Sequence, residues 1–140
     1  MSLTFERFYP WIFAAAGLII GWLMPVDIPS ENRTDLYSAA ISLGSIFAGF
    51  LTTTKAILMA LPSDGLIGRL KISGYMSDLT SYLGQAVCGC LLFCGLNLIG
   101  FFSIGGFQSY FDAAWVGLAT FSASAFWRTT SIMLAILRNP

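Results

Sequence analysis

Apolar residues along this chain gather into four long runs, at about 8–24, 36–61, 79–102 and 111–137, separated by short polar, glycine- or proline-bearing segments. Runs of this length without period-two alternation predict helices, and runs near twenty residues predict helices that cross a bilayer. Pro10 stands where the first turn of the first helix tolerates it, Pro25 closes that helix, and Pro62 closes the second. The first run is the shortest, since about 17 residues rise roughly 25 Å against a hydrocarbon core of about 30 Å. Tyr9, Trp11 and Trp22 therefore belong near the two interfaces. The early pair Glu6 and Arg7, without a small-residue cleavage site, argues for a retained helix over a cleaved signal peptide. The second run is long enough to cross with tilt or to project beyond the bilayer.

The predicted fold class is all-α: one four-helix transmembrane domain over residues 1–140, with a short connection at 63–77 and a turn at 103–109. In the connection, Pro62, Ser63, Asp64 and Gly65 stop a helix and cap the next, and Leu66, Ile67 and Leu70 form an apolar stripe beside Arg69 and Lys71. That pattern predicts an amphipathic segment lying on the inner leaflet or docking a cytosolic partner. Gly74 is expected to end it and Ser77 to cap the third span.

Composition agrees with the pattern. Of 140 residues, 56% are hydrophobic and 10% charged, and the mean hydropathy is +0.77, which places the chain among integral membrane proteins. Seven basic and seven acidic residues leave no net charge, so bulk electrostatics supply no attraction for nucleic acid. Arg7, Arg69, Lys71 and Arg138 fall on one side of the predicted spans and Arg33 alone on the other. The positive-inside rule then puts both termini in the cytoplasm of a multi-pass bacterial inner-membrane protein. Cys88, Cys90 and Cys94 share one apolar run and act as small hydrophobes.

Two cations, Lys55 and Arg128, stand inside predicted spans, and the one acid in either run, Asp112, stands at the far end of the fourth. By helical rise Arg128 lies roughly 13 Å from Leu137, and Lys55 roughly 9 Å from Leu61. A charge there costs about 2.5 to 3.5 kcal/mol on insertion scales and turns toward a bundle interior, a cavity or the headgroups. Thr120, Ser124 and Arg128 share a face of the fourth run at i, i+4 and i+8. On the second run Ser38, Ser42, Ser45, Gly49 and Thr52 or Thr53 form a stripe of small and hydroxyl side chains. This stripe suits packing within the bundle, a polar path or an oligomer seam, and Gly17 and Gly21 form a GxxxG pair on the first run. Lys55, Arg128, Ser124, Thr120, Ser45 and Thr52 are thus the candidates for a pore, lipid or oligomer site. Arg69, Lys71, Leu66 and Leu70 are the candidates for docking a partner. With no histidine anywhere and no acid in the interior of the spans, Asp112 standing at the very start of the fourth, serine lacks a base. The expectation is a non-enzyme that needs no metal and no cofactor.

The run Ala39–Thr54 and the passage Leu70-Lys71-Ile72-Ser73-Gly74-Tyr75-Met76 resemble small four-helix bacterial membrane components of phage-defence systems, the lambda Rex exclusion and Kiwa membrane components among them. The resemblance implies a homo-oligomeric sensor or effector in contact with membrane lipids, working with a cytosolic defence protein encoded nearby. A Rex-like member would depolarise the cell as an ion-conducting pore, and a holin-like lytic protein is the competing class. Arg69 and Lys71 match the basic loop of the Rex pattern, whereas Arg128 has no counterpart in it.

Overall fold

A computed structural model describes residues 3–24, 30–60, 68, 72, 74–102 and 108–138. Among these residues there are four helices and no strand: α1 (Leu3–Leu23), α2 (Ser30–Ala60), α3 (Tyr75–Gly100) and α4 (Gln108–Arg138). Each begins before its apolar run, because backbone hydrogen bonding continues into polar turns that hydropathy does not mark. Pro10 stands well inside α1 instead of in its first turn. It deprives the helix of one hydrogen bond and is fully buried. Gly74 precedes α3 in the left-handed region, at φ 76° and ψ −9°, which only glycine adopts at little cost. Its carbonyl accepts the Ser77 amide at 3.1 Å, so Ser77 lies within the first turn of α3 and is not its cap.

The helices form an open row in the order α1, α4, α3, α2. α1 packs on α4 alone, α4 on α3 and α3 on α2, with only a small contact between α2 and α4. Backbones approach closely where α1 meets α4. A Cβ added at Gly21 would stand 2.9 Å from Ala113 Cα, and one at Gly17 would collide with Thr120 Oγ1. The GxxxG pair therefore serves packing within the chain. The core lies between α2, α3 and α4, around Leu51, Leu79, Leu83, Ala86, Cys90 and Ala125. Phe47 of α2 stacks on Phe126 of α4 at a centroid distance of 4.2 Å and an angle of 16°.

Two helices, Asn32–Ala60 and Tyr75–Gly100, are long and apolar enough to cross a bilayer, and Phe8–Leu23 is a shorter apolar helix. Much of their surface is open. Leu43, Ile46, Phe50 and Ile57 on α2, and Leu91, Leu92, Leu98 and Ile99 on α3, are all more than half exposed.

Candidate functional site

Arg128 is carried by α4 and reaches α3. Its side chain is 6% exposed, with Cζ 4.3 Å from the centroid of the Tyr82 ring, and Nη2 donates to Gln85 Oε1 at 3.3 Å. A guanidinium placed over an aromatic face and donating to an amide oxygen holds its charge without a full shell of water. Lys55 reaches the same stretch of α3 from α2, since a Cβ built at Gly84 would sit 3.5 Å from Nζ. The two cations of the apolar runs thus converge on one turn of α3, Tyr82 to Gln85, from the helices on either side of it.

The remaining predicted site residues do not join them. Thr120 faces α1, and its one hydroxyl hydrogen has three acceptors in reach: Phe13 O of α1 at 3.2 Å, and Val116 O and Gly117 O of its own helix at 3.0 and 2.9 Å. Ser124 is buried and bonds the Phe121 carbonyl one turn back, at 2.9 Å. The shared face expected for Thr120 and Arg128 is split between two neighbours, because eight residues at roughly 100° each turn the helix about 80° past full turns. Ser45 and Thr52 lie on a stripe of α2 that is open along its length, with Ser38, Ser42, Gly49 and Thr53 also exposed. Its hydroxyls bond back to their own helix, as Thr52 does to Ala48 O at 2.7 Å, and Ser45 Oγ lies 3.8 Å from Cys94 Sγ. A Cβ at Gly49 would meet nothing within 4 Å. Arg69, Lys71, Leu66 and Leu70 lie outside the described residues.

Sequence reasoning missed two polar pairs. Toward the opposite ends of the helices, Arg33 of α2 and Asp112 of α4 form an ion pair at 3.3 Å, and Gln108 Nε2 donates to the same carboxylate at 3.0 Å. Arg33 is the lone cation of its side in the sequence, and the signal for a partner was that Asp112 falls on that same side of the predicted spans. In the middle of the row Asn97, fully buried, accepts the Trp115 indole N–H at 2.8 Å and donates to Phe93 O at 2.7 Å. A single Asn in an apolar run predicts such a partner, because a bare amide in hydrocarbon is costly. Cys88, Cys90 and Cys94 are free thiols, and Cys94 Sγ leans on Ile41 O of α2 at 3.6 Å.

These contacts arrange the charges in two layers. Arg33, Asp112 and Gln108 make one, and Lys55, Arg128 and Gln85 the other. By helical rise the layers are roughly 24 Å apart along α4 and roughly 33 Å apart along α2. Between them a groove of about 480 Å³ runs along α4, walled by α1 and α3 and lined almost wholly by apolar side chains. It exists because α1 touches only α4, which leaves a gap between α1 and α3. Among the described residues no group of His, Cys, Asp or Glu is placed to hold a metal ion. Comparison of the chain with family models, curated proteins and solved structures yields no match.

Proposed function

We propose that the chain is a multi-pass protein of the bacterial inner membrane, with four spans and both termini cytoplasmic. In this reading it acts as an oligomeric sensor or effector subunit of antiphage defence and recruits a cytosolic partner through the 63–77 connection. The observation that carries the membrane part is the spacing of the two charged layers, which brackets a hydrocarbon core of about 30 Å. Lys55 and Arg128 then mark one boundary and the Arg33–Asp112 pair the other. The open apolar faces of α2 and α3 support the same reading. Only 22% and 33% of their most apolar windows are buried within the chain, whereas the core helix of a soluble domain is covered on most sides. The defence role rests on the resemblance of 39–54 and 70–76 to phage-defence membrane components.

Among the effector mechanisms, the contacts of Arg128 favour signalling over conduction. A guanidinium over the Tyr82 ring and bonded to Gln85 of the same chain serves to hold α3 and α4 in register. A ring of pore-lining charges needs its side chains turned to a shared axis instead.

The test expresses the chain alone and together with the gene beside it, and challenges the cells with phage. Protection is expected only with both genes. The double variant Arg69→Glu with Lys71→Glu is expected to lose protection and pull-down of the partner while remaining in the membrane fraction. Killing on expression alone would replace this reading with the holin-like one. Planar-bilayer currents altered by Arg128→Gln would replace it with the pore.

A further inference from the structure

We infer that the groove between α1 and α3 binds one acyl chain of a phospholipid from the leaflet nearer Arg128, with the ester carbonyl accepting a hydrogen bond from Gln85. This rests on the membrane reading above and names a ligand for that protein.

The groove is apolar along its length, with Trp11 and Leu18 from α1, Leu92 and Leu96 from α3, and Phe121 from α4. Gln85 is the one amide in its lining. Arg128 determines which way that amide points. A guanidinium has donors and no acceptor, so the Gln85 oxygen must face Arg128, as it does at 3.3 Å. The Gln85 oxygen is thereby committed to Arg128, and the NH2 is the half of the amide left to meet a ligand at that end of the groove. A donor fixed at the end of an apolar slot discriminates between ligands. A plain hydrocarbon leaves it unpaired in a medium where that is costly, and a carbonyl satisfies it.

Length and depth agree with a lipid chain. From Gln85 to Leu96 the α3 wall rises roughly 16 Å, close to the half-thickness of a hydrocarbon core of about 30 Å. Gln85 stands in the Lys55–Arg128 layer, which the membrane reading places at a boundary, the depth at which glycerol esters lie. Trp11 borders the same end of the groove, as an interfacial aromatic does. From there the groove leads inward, toward Leu96, Leu18 and Ala114. The Arg128 charge behind the amide strengthens the donor and favours an anionic headgroup.

The test uses the full chain reconstituted in vesicles of phosphatidylethanolamine and phosphatidylglycerol, extracted into mild detergent and weighed by native mass spectrometry. The wild-type protein is expected to carry one phospholipid per chain. Gln85→Glu keeps an acceptor for Arg128 and removes the donor, so lipid retention should fall about five- to tenfold, the worth of one hydrogen bond plus repulsion of the ester oxygen. Ala114→Phe fills the floor of the groove and should abolish retention. Equal lipid on all three proteins, with insertion and helicity unchanged, would overturn the inference, as would an inserted wild-type chain carrying none. If Ala114→Phe does not fold, Gln85→Glu decides alone. Release of the wild-type chain from membranes by alkaline carbonate would instead sink the membrane reading from which the inference starts.

Discussion

Removing a buried charge and removing two of its partners should have unequal consequences at Arg128. The guanidinium is 6% exposed and lies 4.3 Å from the Tyr82 ring centroid, a geometry worth about 2 kcal/mol when desolvated. Its bond to Gln85 is long, at 3.3 Å, and sits at the lower end for a charged donor, about 1.5 kcal/mol. The double variant Tyr82→Leu with Gln85→Leu takes both away and leaves the charge in place. It should cost about 3 kcal/mol, somewhat below the simple sum because both groups serve one cation. Arg128→Met removes the charge together with its desolvation penalty, fills similar space, and should change stability by less than about 1 kcal/mol. Unfolding of the purified protein in mixed micelles, titrated with a denaturing detergent and followed by circular dichroism, measures both. The expected difference of about 2 kcal/mol corresponds to more than tenfold in the folding equilibrium. If the double variant is no less stable than Arg128→Met, the guanidinium is not held by Tyr82 and Gln85, and the argument against a pore loses its basis.

Gly21→Leu drives a side chain into the Ala113 backbone, 2.9 Å from where its Cβ would lie. It should cost at least 1–3 kcal/mol and loosen α1 from α4, read as loss of a disulfide engineered between Leu18→Cys and Gly117→Cys. Asn97→Leu leaves the Trp115 indole N–H, now bonded at 2.8 Å, without an acceptor. A loss of about 1–2 kcal/mol is expected, checked by thermal unfolding and by the Trp115 emission maximum. Arg33→Asp sets like charges against Asp112 and should destabilise that end of the helices. The exchange Arg33→Asp with Asp112→Arg should restore most of the loss, and a double variant no better than the single one would remove the ion pair from the account.

Much of the architecture was readable from residue order, and the reasons differ between elements. α2 and α3 could be read because long apolar runs ending at Pro62 or in polar turns leave few alternatives. Helix starts were misplaced, as at Pro10 and Ser77, since hydropathy marks where a helix is apolar and not where its hydrogen bonds begin. The candidate site was legible as residues and not as a site. Lys55 and Arg128 were identifiable as charges in apolar runs, but their meeting on Tyr82 to Gln85 depends on α3 lying between α2 and α4. The Arg33–Asp112 pair joins residues 79 positions apart and had no local signal.

Residue order by itself determined the four long helices among the described residues, their apolar character and the level of each charge along its own helix. These are consequences of short-range hydrogen bonding and of the free energy of moving side chains out of water. Tertiary structure alone decided which faces are covered. On α2 two faces competed, and the one bearing Tyr37, Ala48, Leu51 and Leu58 is buried while the hydroxyl stripe stays open. Periodicity groups residues onto a face, but the face that is buried is the one against which a neighbouring helix packs most closely, since the open faces of α2 are themselves apolar. The same rule splits the polar stripe of α4 between α1 and α3, encloses Arg128, and opens the groove beside Gln85.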